Sequence, residues 1–330
     1  MNYGLVNLGN TCYMNSIIQC IYHTGLLSTD SDEFVENCSK TEGRNDFELM
    51  LEWLKLQKKL NTKSESKNVN PIDFYRCFAK KIVKSEYTFV GFDQNDSGEF
   101  IIILFDLLHK CLEYKIKLTI EGEIQNNLDK IAVDSINYWK QFFEKKYSYL
   151  VNSTYSQILS ITNCPKCNYS TQNHDPIQVI TLHMKPQFKT LYDLLNDYTN
   201  LEILDSDNQW KCDKCLQKVN PEKKIVFWNC SDYLIIQIKR YDNDLRKIDQ
   251  HIDFPVLLKM NRFCMNYNEE STTYQLCAMS VQEGSLQGGH YYAICYVDGS
   301  WKVFNDTNVS DIDYSDVMQK KPYCLFYKRI

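Results

Sequence analysis

The residues able to do chemistry lie near the two ends of the chain. Close to the start, GNTCYMNS sets Cys12 five residues after Asn7 and just ahead of Met14, Ile17, Ile18 and Ile21. That i, i+3, i+4, i+7 spacing predicts a helix closing at Gly25, with Asn10 or Thr11 as its cap. A thiol at a helix N-terminus meets the positive end of the dipole, which favours thiolate and lowers its pKa. The Asn7 amide is within reach of a developing oxyanion across the tight loop. A cysteine nucleophile also needs a base, and the six histidines are His23, His109, His174, His183, His251 and His290. Only His290 has suitable surroundings: in GSLQGGHYYAICYV, glycines allow close backbone approach and the following strand holds the ring. If HYYAICYV pairs with SWKVF through VDGS, His290 comes near Asn305 and Asp306, either of which can orient the imidazole. Cys-His-Asn is a known thiol form of the nucleophile, base and orienter triad.

Two further constellations stand between these ends. Cys164 and Cys167 form CPKC, and Cys212 and Cys215 form CDKC. Two such knuckles between strands suit a tetrahedral, closed and therefore structural zinc site, the alternative being redox-active or merely buried thiols. In FDQNDSGEF, Asp96 or Ser97 is placed to cap a helix with Glu99 in its first turn. The same carboxylates could instead accept hydrogen bonds from arginines of a substrate, and on the residues alone the cap is the simpler reading.

The elements that must position these groups change character along the chain. FELMLEWLKLQKKL and EFIIILFDLLHKCLEY read as helices, the second apolar enough to be buried, with NTKSESKNVNP as a polar connection. Ala132, Ile136, Trp139 and Phe143 mark one amphipathic helix, and Leu191, Leu194, Leu195 and Tyr198 another. Beyond Thr154 the texture is otherwise β-rich, with Ile180, Leu182 and Met184 alternating as in a half-buried strand. A helical first third followed by a mostly antiparallel β part is an α+β pattern. Lys plus Arg number 37 against 42 Asp plus Glu, a net charge of −5, so composition gives no basic surface for nucleic acid. Fourteen cysteines would fit a disulfide-rich secreted chain, yet MNYGLVNLGN lacks the features of a signal peptide. Reduced thiols, no membrane span and an intracellular, cytoplasmic or nuclear location are expected.

GLVNLGNTCYMNS and GGHYYAICYVDGSWKVFNDTNV resemble the cysteine and histidine boxes of the ubiquitin-specific proteases. FDQNDSGEF, with Gln94, resembles the family's Gln-Gln-Asp segment, CPKC and CDKC its zinc-bearing fingers, and YLIIQIKRY with DFP the stretch before the histidine box. The resemblance runs from Gly4 to about Lys328, with the motifs in family order. It implies a single papain-like catalytic domain over 1–330: a helical thumb over about 1–150, fingers with a four-cysteine zinc site and part of the palm over about 151–235, and an antiparallel β palm over about 236–330. It implies Cys12 as nucleophile, His290 as general base and acid, Asn305 as the third member, Asn7 in the oxyanion hole, and Asp306 as an aid to the histidine or transition state. The substrate implied is ubiquitin on a protein or in a chain, its tail passing Gln94, Asp96, Glu99, Gly288, Gly289 and Tyr291, on a monomeric enzyme. A ubiquitin-binding pseudoenzyme and a protease for a ubiquitin-like modifier are the alternatives. The chain departs from the family at Gln282, where a histidine is usual, at Asn229 and Cys230 in place of Leu-Pro, and at Tyr241 in place of phenylalanine. With the cysteine box a few residues from the first residue and the last motif close to the end, no accessory targeting domain is expected in this sequence.

Overall fold

The structure, a computed structural model, describes residues 2–44, 46–62, 68–83, 95–241, 246–265, 267, 270–285 and 288–330. Helices dominate as far as Thr154 and strands thereafter. The predicted helices are present as Cys12–Thr24, Glu48–Asn61, Ser97–Leu112, Asn127–Phe143 and Leu191–Thr199. Two more, Asp32–Thr41 and Ile72–Val83, have no counterpart in the sequence reading. The first starts at Ser31, whose hydroxyl accepts from Phe34 N, and the second after Asn70, whose side chain accepts from Ile72 N. The first buries Phe34 with two polar residues, Asn37 and Thr41, and so has little apolar stripe to read, whereas the second carries one in Phe74, Phe78 and Ile82. Among the described residues no helix is long and apolar enough to cross a membrane.

The central sheet runs, in spatial order, Asn308–Asp311, Ser300–Asn305, Gly289–Val297, Thr273–Gly284, Pro322–Arg329, Tyr233–Lys239 and Val179–His183, with Leu257–Lys259 also on Thr273–Gly284. Its one parallel pair among the described residues is Tyr233–Lys239 with Val179–His183, an exception to the antiparallel expectation that follows from the long excursion of chain between the two. Both faces are covered. Tyr233 and Ile235 pack into the core shared with the thumb helices, while Leu234, Ile236 and Ile238 pack into a second core behind the sheet. In Thr273–Gly284 this alternation switches phase. Leu276 opposes Tyr327 in the rear core, but after a bulge Ala278 opposes Phe326 in the thumb core. The extra residue re-aims the strand so that Ser280 meets Ser16 of the thumb, with Oγ to Oγ 3.0 Å.

A separate four-stranded sheet, Ser170–Ile177, Ser156–Asn163, Glu222–Asn229 and Glu202–Ile203, carries at its tip the small hairpin Trp210–Lys211 with Lys218–Val219. Helix Asn127–Phe143 lies on its base, where Ala132, Leu159 and Trp228 form a small core of their own. The arrangement is a thumb, palm and fingers fold of mixed helices and sheets.

Candidate active site

Cys12 is the first residue of its helix, which ends at the left-handed Gly25 as the sequence predicts. The cap differs from expectation. Asn10 lies before the helix in a left-handed conformation, and Thr11 occupies the cap position without capping. Its hydroxyl accepts from Leu8 N instead and donates to Asn7 Oδ1, because the loop before the cysteine folds around the Asn7 amide. Asn7 Oδ1 also accepts from Gly9 N and Thr11 N. The thiol is correspondingly enclosed, only 3 % exposed. Burial pushes its pKa up and the nearby Asp306 carboxylate adds to this, against backbone N–H groups of Tyr291, Tyr13 and Cys12 that pull it down. The expectation of a lowered thiol pKa is therefore corrected: the helix N-terminus is where the sequence places it, but desolvation outweighs it.

The histidine arm takes the predicted hairpin. Gly289–Val297 pairs with Ser300–Asn305 through Asp298–Gly299, both at positive φ as a tight two-residue turn requires. His290 Nε2 lies 2.7 Å from Asn305 Oδ1. A carbonyl oxygen only accepts, so Nε2 carries the proton and Nδ1 is left as a base. The backbone N–H of Tyr291, the next residue, bears on the Cys12 thiol, so the start of this interior strand of the sheet lies against the helix that begins at Cys12. Asp306 does not face the imidazole in this arrangement. Its Oδ2 accepts from Asn7 Nδ2 at 2.9 Å and its Oδ1 from Asn15 Nδ2 at 2.8 Å, tying the end of the hairpin to the thumb. Asn15 is a residue the sequence reading misses. Its signal is an amide three residues after Cys12, on the same helix face.

The residues assigned to a substrate tail divide. Asp96 caps Ser97–Leu112, accepting from Gly98 N and Glu99 N, and it also accepts from Gln237 Nε2 and the Tyr323 hydroxyl. The protein itself thus occupies both its oxygens. Glu99, in the first turn of that helix, is exposed. Gly289 has an internal reason to lack a side chain, because a Cβ there would lie 2.4 Å from Gln282 Nε2 and 2.7 Å from Ser285 O, whereas Gly288 faces open space. Tyr291 stacks edge-on to Tyr323, with ring centroids 5.6 Å apart. Gln94 lies outside the described residues. Gln282, where the sequence departs from the family, donates to Ser285 O at 3.1 Å, and Lys247 donates to Gln282 O and Gly284 O, so the turn before His290 is held from two sides. Tyr241 offers its hydroxyl to Gln282 Oε1 at 3.5 Å, a contact phenylalanine lacks.

Far from this junction, Cys164, Cys167, Cys212 and Cys215 converge, their sulfurs all within 4.8 Å of one another. Cys164 to Cys215 is 3.8 Å and Cys167 to Cys212 is 3.6 Å. A tetrahedral ion with sulfur bonds of about 2.3 Å sets its ligands about 3.8 Å apart, so the four thiols fit a metal. The two knuckles are built alike. Asn168 N bonds Cys164 O and Leu216 N bonds Cys212 O, and Asn168 and Leu216, each just after the second cysteine, both have positive φ. All fourteen cysteines are free thiols in the structure.

Residues 3–327 match the family described as ubiquitin carboxyl-terminal hydrolase. Ubiquitin carboxyl-terminal hydrolase 2 of Bos taurus is 30 % identical over 98 % of this chain and 54 % of its own length. Ubiquitin carboxyl-terminal hydrolase 21 of the same species is 27 % identical over 98 % of the chain and 61 % of its own. The chain thus spans little more than half the length of these curated relatives. Among solved structures, a SAGA DUB module of Ubp8, Sgf11, Sus1 and Sgf73 bound to monoubiquitin matches with a TM-score of 0.77 at 24 % identity, covering 99 % of this chain and 69 % of that one. The same module bound to ubiquitin aldehyde also gives 0.77. That likeness speaks for the fold, and the match along nearly the whole sequence for descent: the chain is a member of the ubiquitin carboxyl-terminal hydrolase family, of the ubiquitin-specific protease type.

Proposed function

We propose that the protein is a thiol-dependent deubiquitinase that cleaves the bond after the C-terminal Gly-Gly of ubiquitin. The observation that carries this reading is the pairing of His290 Nε2 with Asn305 Oδ1 at 2.7 Å on the strand whose next N–H points to the Cys12 sulfur. The thiol starts protonated. His290 Nδ1 takes its proton as sulfur attacks the glycine carbonyl carbon, and the tetrahedral oxyanion is met by the remaining N–H of the Asn7 amide and by backbone N–H groups at the helix start. The imidazolium then protonates the lysine nitrogen, the C–N bond breaks and a thioester remains. Water, deprotonated by His290, attacks that thioester. The C–S bond breaks, the imidazolium returns its proton to Cys12, and ubiquitin leaves as a carboxylic acid that loses its proton to solvent.

Glu99, exposed beside the Asp96 cap, is the carboxylate free to pair with an arginine of the ubiquitin tail, while Asp96 shapes the channel through Tyr323 and Gln237. Cys164, Cys167, Cys212 and Cys215 hold zinc as a closed structural ion that ties the two finger hairpins together. Thumb, fingers and palm divide near residues 150 and 235 in this reading, supported by the change from the helix ending at Thr154 to the finger strand starting at Ser156. Free thiols throughout suit a reducing cytoplasm or nucleus.

The test is intact mass after mixing the protein with ubiquitin whose terminal carboxylate is replaced by an electrophile. One ubiquitin should add to the native protein and none to Cys12→Ala. Tight binding without an adduct would favour a pseudoenzyme. Neither binding nor adduct would point to another modifier.

A further inference from the structure

The hairpin that carries His290 and Asn305 does not reach Cys12 by its own strand pairing alone. Asp306, immediately after Asn305, sits in the left-handed region at φ 49° and is held at three points by the N-terminal segment and the first helix. Its backbone oxygen accepts from Leu5 N at 2.8 Å, and each carboxylate oxygen takes one amide, from Asn7 and from Asn15. The approach is tight: a Cβ on Gly4 would lie 2.4 Å from Asp306 O. Asn15 is 2 % exposed, and its second N–H reaches Val6 O at 3.3 Å. Both its donors are therefore spent on acceptors, and its own Oδ1 is left without a partner. A buried amide that leaves its acceptor unsatisfied is oriented by its donors, and the shorter of these goes to the Asp306 carboxylate. Asn15 stands one helical turn from Cys12 on the same face, so the residue fixing Asp306 shares a rigid element with the nucleophile.

We propose that Asn15 is a positioning residue of the reaction: with Asn7 it clamps the Asp306 carboxylate, and through Asp306 it holds Asn305 and His290 in register with Cys12. It touches neither substrate nor reacting atoms. This inference rests on the deubiquitinase reading for its kinetic test, and on the clamp geometry alone for its second readout.

The test uses Asn15→Asp, Asp306→Asn and their combination, with kcat and KM on a ubiquitin amide, thermal unfolding, and iodoacetamide alkylation of Cys12 against pH. Asn15→Asp sets two carboxylates at hydrogen-bond distance, which must share a proton to stay there. Its kcat should fall by about 100-fold at neutral pH, the scale of a misplacement near 1 Å, with KM little changed. Activity should return as pH is lowered, a limb the native protein lacks. In the double variant the amide now at 306 donates to the carboxylate now at 15 and still accepts from Asn7, so the clamp is rebuilt with its polarity exchanged and kcat should recover to within about tenfold of native. A folded Asn15→Asp with native kcat, a loss confined to KM, or a folded double variant without recovery would each overturn the proposal. If the native protein turns over no ubiquitin substrate, the deubiquitinase reading fails by itself. The clamp is then judged on alkylation, which should move to higher pH in Asn15→Asp and return in the double variant. An unmoved profile overturns it.

Discussion

The Cys12–His290 junction and the four-cysteine finger tip are assembled in opposite ways. At the junction, single hydrogen bonds from Asn7 and Asn15 to Asp306 align groups nearly three hundred residues apart, and one more joins His290 to Asn305 within its own hairpin. The finger tip is made of two local knuckles that each build half of the site, and the sulfurs meet because the hairpins face each other. Behind the junction lie two cores, one on each face of the central sheet, whereas the tip has only Cys164, Cys212 and Val219 with their half-buried neighbours. The junction therefore depends on the rest of the fold for position, and the tip, with so small a core, would depend on an ion held by its four thiols. Damage to the first should appear in turnover, and damage to the second in stability and substrate grip.

The largest effect expected is at the junction. With His290 as the base proposed above, His290→Ala should lower kcat by about 10³-fold or more while thermal unfolding stays near native, since the ring is only partly buried. A loss of stability as large as that of a core substitution would break the contrast. Next comes the tip. Cys212→Ser, or a chelator acting on zinc-loaded protein, should release the Trp210–Lys211 hairpin and raise KM for ubiquitin about tenfold, roughly 1.4 kcal/mol of grip, with kcat much less affected. Hydrogen exchange should rise at residues 164–169 and 212–219 first. An equal fall in kcat would show that the fingers and the junction are coupled.

A third measurement sharpens the view of the thiol. Since burial and Asp306 hold the Cys12 pKa up, alkylation of free protein should rise with pH to a midpoint above the ordinary value of about 8.5. A fast plateau below pH 7 would mean a standing thiolate–imidazolium pair instead.

The two regions are also unequally legible. Cys-x-x-Cys twice between strands nearly dictates its own geometry, because the ligands of each half are neighbours in sequence and the knuckle is a local turn. The hairpin holding His290 and Asn305 is readable for the same reason, a two-residue turn fixing the register. What sequence does not supply is the partner of Asp306 or the burial of Cys12. Both depend on how the thumb helix seats against the sheet, a contact set by the bulge between Leu276 and Ala278 that no local pattern announces. Asp96 shows the reverse error of emphasis: the bland reading as a helix cap is the one its hydrogen bonds express.

The smallest effects come from two buried histidines outside both sites, one in the thumb and one at the finger base. His109, in the thumb, is pulled down to about 4 by burial, with Nδ1 held 2.7 Å from Ser148 Oγ. His174, beneath the finger helix between Tyr138 and Trp228, is also lowered by burial, but neither of its ring nitrogens has a partner. A histidine whose folded pKa lies below its unfolded value of about 6.5 binds its proton more readily when unfolded, so each costs stability as pH falls below about 6.5. For His109 that loss levels off below its folded value of about 4. Replacing either by leucine should flatten the decline of stability between pH 7 and 5 by roughly one proton's worth. At neutral pH the two should part company. His109→Leu leaves the buried Ser148 hydroxyl short of its partner and should cost about 1–3 kcal/mol, whereas His174→Leu removes two unsatisfied nitrogens from an apolar cage and should be neutral or stabilising. Chemical denaturation of both variants at two pH values separates these outcomes. Equal losses would show that the finger base is as tightly specified by polar contacts as the thumb, and would erase the distinction between the regions at its most sensitive point.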